Sequence, residues 1–182
     1  MNKASGNQHK EGLIMTLARV LLVANRTASD RPLIEAVRQR ARSGPASFHL
    51  VVPATPQGLH RVVDPEVAGR EAARRRLELA LPALGDAAGS GVTGHVGDAN
   101  PLAAIHDALH LRGFDEIILS TLPWRLSRWM RIDLPSKVRA LGVPVSHVTS
   151  TTLEQADGAL ADGAQLGSGI SSSRGVAGVS VR

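Results

Sequence analysis

Residues Asp115–Val148, DEIILSTLPWRLSRWMRIDLPSKVRALGVPVSHV, decide the fold. An apolar run, Glu116–Leu119, leads into a long basic loop. A helical segment, Leu134–Leu141, follows and is closed by Gly142, and a second apolar run spans Val143–Val148. Strand, crossover and strand in that order imply parallel pairing, since parallel strands need a long crossover between them. A loop leaving the carboxyl end of such a strand lies where open α/β sheets place their ligands. Charge marks the same loop: Ser120–Gly142 carries Arg125, Arg128, Arg131, Lys137 and Arg139 against Asp133 alone.

The upstream chain repeats the alternation. Leu17–Ala24 is a near-continuous apolar run of the kind a strand buried on both faces needs. Asn25, Arg26 and Thr27 form the turn at its end. Ser29 or Asp30 can cap a helix that has Pro32 in its first turn, where a missing N–H costs nothing. Leu33, Ile34, Val37 and Ala41 share one face of that helix, and Gly44-Pro45 ends it. Phe48–Val52 reads as the second strand, with a loop over Ala54–Val63. Asp64-Pro65-Glu66 opens a helix whose buried stripe is Val67, Ala73, Leu77, Ala80, Leu81 and Leu84. Pro82 predicts a kink or an end there. Val92–Val96, interrupted by Gly94, is a weak third strand. Asn100 caps and Pro101 opens a helix with Leu102, Ile105 and Leu109 inward, stopped by Gly113. The expectation is a single open five-stranded parallel sheet with helices on both faces, occupying residues 16–150. Residues 1–15 and the Gly/Ser/Ala-rich 151–182 read as disordered extensions. Met1 and Met15 are both candidate starts.

Composition narrows the function. The 182 residues contain no cysteine, which removes disulfides, thiolate metal sites and a Cys nucleophile. The net charge of +5 lies entirely within residues 17–150, which admits nucleic acid or anionic lipid as a partner. No run reaches the roughly 20 apolar residues of a membrane span. Leu13–Ala24 is broken by Arg19 and lacks a cleavage site, so a cytoplasmic location is expected.

Gly97–Val148 resembles the universal stress protein family. The shared features are the Gly97-x-x-x-Pro101 turn opening a helix, the Phe114–Leu119 run FDEIIL, a long loop with a short helix, and Val143–Val148, VPVSHV. The similarity extends over roughly residues 17–149. It implies the family's adenine nucleotide α-hydrolase-like sheet, a stress-response role, and a homodimer through the Val143–Val148 edge. Many members bind ATP through a glycine signature after the fourth strand: Gly, two residues, Gly, nine residues, then Gly-Ser or Gly-Thr. Here those positions hold Ser120, Pro123 and Asp133-Leu134, or Arg131-Ile132 at the final pair when aligned back from Pro144. No glycine occurs between Gly113 and Gly142, and Pro123 and Pro135 have no amide to offer a phosphate. Asn25 stands where ATP-binding members carry Asp. No cofactor is certain; ATP or another adenine nucleotide is the candidate.

The candidate ligand-binding residues are Asn25, Arg26, Thr27, Val52, Ser120, Thr121, Arg125, Arg128 and Arg131. Guanidinium forks grip phosphate bidentately and can take over from glycine amides. If residues 124–131 are helical, Trp124 and Arg128 lie one turn apart, as do Arg125 and Trp129. Two further readings stay open: the Trp/Arg surface docks on nucleic acid or an acidic membrane, or it only covers the sheet end or a dimer contact. Arg74-Arg75-Arg76 read as a solvated helix face. His106 and His110 have metal-sharing spacing without a third ligand. Ser120 and Ser127 lack the Gly-x-Ser-x-Gly turn of a nucleophile. The expectation is a non-catalytic regulatory domain.

Overall fold

The central strand explains the rest of the architecture. In β1 (Ala18–Val23) the last four residues, Val20–Val23, are fully buried, so this strand is covered on both faces. A computed structural model describes residues 16–56 and 65–150 of the chain. It divides into two units, Met1–Thr151 and Thr152–Arg182, and every described residue belongs to the first. The extensions expected at residues 1–15 and 151–182, most of the Ala54–Val63 loop and Asp64 lie outside the described residues.

Strands and helices alternate, with two short helices before the last strand: α1 (Arg31–Arg42), β2 (Ala46–Pro53), α2 (Pro65–Ala88), β3 (Thr93–Gly97), α3 (Pro101–Arg112), β4 (Glu116–Thr121), α4 (Arg128–Arg131), α5 (Leu134–Arg139) and β5 (Val145–Thr149). All strand pairs are parallel, in the order β3-β2-β1-β4-β5. Ala18 aligns with Ala46 and Val20 with Glu116, which sets the register on both sides of β1.

Strand periodicity sorts the core into two layers. Val20 and Leu22 of β1 and Ala24 just after it, with Phe48, Leu50 and Val52 of β2, pack against Leu33 and Val37 of α1 and Ala73, Ala80 and Leu84 of α2. Leu21, Val23, Ile117 and Leu119 face the other way, onto Ala104, Ile105 and Ala108 of α3 and Leu134 and Val138 of α5. Each fully buried Leu or Val stabilises the fold by about 1.5–3 kcal/mol relative to exposure. The split follows from right-handed crossovers: the chain moves one way through β1, β2 and β3, then reverses for β4 and β5, so the later helices fall on the opposite face.

Local chemistry agrees with this at most points. The Asn100 side chain accepts from Leu102 N at 3.0 Å and caps α3, with Pro101 behind it. Gly113 ends α3 at φ 61°, a conformation that disfavours a Cβ. Arg19, the charge in the first apolar run, donates to Asp115 and to the Arg112 carbonyl at the end of α3. The hydrogen bond from Arg19 holds the Asp115 carboxyl below its ordinary range.

Four expectations are corrected. Pro82 neither ends nor interrupts α2, which runs on to Ala88. The proline is exposed to solvent, while Ala80 before it and Leu84 and Ala87 after it are buried, and that packing outweighs one lost backbone bond. Val67 lies 61% exposed, outside the buried stripe, because α2 reaches the sheet only from its second turn onward. Gly94 does not interrupt β3, where it pairs with Leu50 of β2. A Cβ there would stand 2.6 Å from both the Leu50 carbonyl and Leu77 Cδ1, so its absence lets α2 and β2 close on β3. Gly142 lies two residues beyond the α5 C-cap, Ala140, at φ 77°.

Candidate functional site

The strand order reverses between β1 and β4, and that is where the carboxyl-end loops separate to leave a crevice. Two loops line it. The first, Asn25–Asp30, is a pair of turns in which Ala28 N donates to Asn25 O and Asp30 N to Thr27 O, each at 3.2 Å. The Thr27 hydroxyl donates to the Ser120 carbonyl at 3.2 Å and so ties this turn to the end of β4.

The second loop, residues 122–133, is shaped by Pro123, whose carbonyl accepts from Leu126 N and Ser127 N. The Ser127 hydroxyl accepts from Met130 N at 3.2 Å and caps α4. Within this loop only Arg128–Arg131 is helical, so the expected one-turn pairings of Trp124 with Arg128 and of Arg125 with Trp129 do not form. The tryptophans part company: Trp129 is 7% exposed and packs in the α5 layer, whereas Trp124 is 65% exposed. Asp133 then turns the chain into α5 through the left-handed region, at φ 52°.

The cavity between the loops has a volume of about 450 Å³. Of the candidate residues, Asn25, Arg26, Thr27, Ser120, Thr121 and Arg128 line it. Val52 is buried in the core instead, because its strand position turns it onto the α1 and α2 layer. Arg125 and Arg131 are exposed and do not line the cavity, since the turn at Pro123 and the single turn of α4 direct them away from it. Thr55, Ser127 and Trp129 also line the wall and were not among the expected ligand residues. Among the described residues, no carboxylate lines the cavity.

Two buried polar groups define its chemistry. Asn25 is engaged in structure: its Nδ2 donates to the Pro53 carbonyl at 2.7 Å and its Oδ1 accepts from Arg76 Nη1 at 2.9 Å. The carboxamide therefore joins β1, the end of β2 and α2, and it is not a free reader of a base or ribose. Ser120 is the opposite case. It is fully buried, and its hydroxyl has no hydrogen-bond partner among the described residues while lining the cavity. A buried hydroxyl left without a bond costs about 1–3 kcal/mol, so an occupant that bonds it recovers that energy. The neighbouring Thr121 hydroxyl lies 2.8 Å from His147 Nε2 of β5, whose pKa burial and the nearby Arg139 push down.

Arg76 is the residue beside the cavity that the sequence reading takes for solvated. Arg75 follows the expected solvated face and pairs with Glu71, but Arg76 turns inward to Asn25. Burial pulls its pKa down, and the neighbouring Arg26 and Arg75 charges add to that effect. Arg26, Arg76 and Arg128 thus place positive charge around a hydroxyl-lined cavity. The one available signal was position: Arg76 falls a single residue before Leu77 of the buried stripe. Elsewhere, His110 Nδ1 lies 2.8 Å from the His106 carbonyl on the same helix, and no group of three metal-ligating side chains occurs among the described residues.

An open parallel sheet with a crevice at its switch point defines the doubly wound α/β class. Solved structures place the fold more narrowly. A protein of the universal stress protein family from Burkholderia pseudomallei superimposes with a TM-score of 0.51 at 16% identity, covering 72% of this chain and 95% of that one. The universal stress protein from Archaeoglobus fulgidus gives 0.50 at 15% identity, covering 73% and 93%. The chain has the universal stress protein fold. No family profile and no curated protein matches its sequence.

Proposed function

We propose that this chain is a non-catalytic, regulatory domain of the universal stress protein fold whose crevice holds a phosphate-bearing anion, an adenine nucleotide being the leading candidate. The observation that carries the reading is the cavity wall: Arg26 and Arg128 with the unpartnered Ser120 hydroxyl, Arg76 behind Asn25, and no carboxylate among the described residues. Guanidinium groups and hydroxyls supply by side chain what glycine amides supply elsewhere, so phosphate is held by forks rather than by a backbone cradle. Among the described residues the wall hydroxyl that meets a base is Thr121, bonded to His147 Nε2, and no carboxylate orients that imidazole, which favours occupancy over turnover as the signal. In the same reading β5, a free edge of the sheet, pairs two copies into a homodimer, and the protein acts in the cytoplasm under stress.

Thermal denaturation with ATP, AMP, cyclic AMP, pyrophosphate and inorganic phosphate tests this. A ligand at about 100 times its Kd stabilises by about 2.7 kcal/mol, a rise in Tm of several degrees. The expected result is such a rise with pyrophosphate or a nucleotide, lost in Arg128→Ala, with no phosphate released from ATP. An unchanged Tm with all five compounds overturns the proposal.

A further inference from the structure

The rim of the crevice carries a second surface. Within nine residues, Trp124 is 65% exposed, Leu126 50% and Ile132 39%. The other large exposed apolar residues among the described ones, Leu17, Val67, Leu79 and Leu111, are scattered singly. Arg125, Arg128 and Arg131 alternate with the rim's apolar residues, and residues 122–132 contain no acid. Among the described residues none of these three guanidinium groups makes a hydrogen bond or ion pair, whereas Arg19, Arg38, Arg40 and Arg75 each pair with a carboxylate.

The display is held in place. Buried Trp129 anchors the segment from within, Pro123 closes the turn, and Ser127 caps α4. A surface fixed in advance loses little entropy on binding.

We propose that the Trp124–Ile132 rim docks on an anionic lipid bilayer. The charge fits lipid phosphates, which arginine forks grip bidentately. Apolar side chains beside that charge favour a bilayer over nucleic acid: an indole belongs at the headgroup level, and Leu126 and Ile132 have an acyl layer to enter. Nucleic acid would use stacking platforms, and the rim exposes a single aromatic ring. Trp124, Arg125, Arg131 and Ile132 lie outside the cavity, whereas Leu126 and Arg128 also line it, so the first four separate this surface from the crevice.

The test is sedimentation of the full chain with vesicles of phosphatidylcholine alone and of phosphatidylcholine with about a third phosphatidylserine, read together with tryptophan emission. The expected result is binding to the anionic vesicles only, reversed by high salt, with a blue shift in emission. Trp129 is already buried, so the shift belongs to Trp124 and vanishes in Trp124→Ala. Each basic residue near an anionic surface contributes roughly fivefold in affinity, so Arg125→Ala with Arg131→Ala should weaken binding roughly 25-fold. Both variants change exposed side chains and should keep the wild-type Tm and the wild-type response to pyrophosphate.

Equal binding to both vesicle types overturns the proposal, as does wild-type binding by both variants. Retention by a DNA duplex or an RNA hairpin in place of vesicles assigns the rim to nucleic acid and also overturns it. A concentration-dependent blue shift without lipid assigns the rim to a second copy of the chain, with the same consequence.

Discussion

Mild acid should destabilise this protein through one histidine pair. His49 of β2 is buried, with Nδ1 2.7 Å from the Thr93 hydroxyl and Nε2 2.8 Å from His95 Nδ1. Phe114 stacks on its ring at 5.9 Å between centroids. One proton lies between the two imidazoles, and protonating both would set two N–H groups head to head beside the Arg112 guanidinium. Burial, with Arg112 and His95 adding to it, pushes the His49 pKa down to about 4. His95 moves the same way, chiefly through burial, with Asp107 opposing. The unfolded chain binds a proton near 6.5, the folded one only near 4, so the unfolded state holds more protons in between. The His49 contribution is therefore complete above about pH 6.5 and drains away as pH falls toward 4. Allowing for the solvent that reaches the His95 side, the loss is roughly 1 kcal/mol by about pH 5.5 and about 2 kcal/mol by about pH 4.5. Urea denaturation followed by Trp129 fluorescence across about pH 4.5–7.5 measures it. The comparison protein is His49→Gln, which keeps a side-chain hydrogen bond but cannot titrate, so its curve should be flatter by that amount. Parallel curves for the two proteins would refute the reasoning.

Two substitutions test the crevice and the sheet. Arg76→Ala removes the bond to Asn25 and one cation near the cavity; pyrophosphate affinity measured by calorimetry should fall roughly tenfold, with about 1 kcal/mol lost from stability. Undiminished affinity would make Arg76 a purely structural arginine. Gly94→Ala sets a methyl 2.6 Å from the Leu50 carbonyl and from Leu77 Cδ1, and should cost about 2 kcal/mol or more in urea denaturation. A variant as stable as the wild type would show that β3 and α2 can yield.

The crevice keeps its shape without glycines. The first loop is pinned to its neighbours by Asn25 and Thr27, and the exit of β5 is tied back as well. Ser150 N donates to the Thr121 carbonyl at 2.8 Å, and its hydroxyl donates to Asp30 beside the start of α1. Asp30 consequently makes no side-chain cap on α1, although it occupies the cap position. The wall keeps its shape through side-chain bonds in which Arg26 and Arg128 take no part.

Much of the fold was legible in the residues alone, because strand and helix periods, caps and turn residues act over a few positions. Leu17–Ala24 read as a doubly buried strand, which in the structure is Ala18–Val23 with Val20–Val23 fully buried; Asn100-Pro101 stands as a helix start and Gly113 as a stop. The same reading located the crevice at the ends of β1 and β4. It could not tell which long side chains reach it. Arg75 and Arg76 are neighbours in one helix, yet only Arg76 meets Asn25, 51 residues away, because the helix rotation against the sheet sets that contact. Trp124 and Trp129 look alike in a basic loop, and the turn at Pro123 decides that one is core and the other surface. Helix α2 passes through Pro82 for a related reason: burial on either side, a property of the assembled layers, outweighs a local preference. Class and site position come from short-range pattern, while the side chains that furnish the site are chosen by packing between segments far apart in the chain.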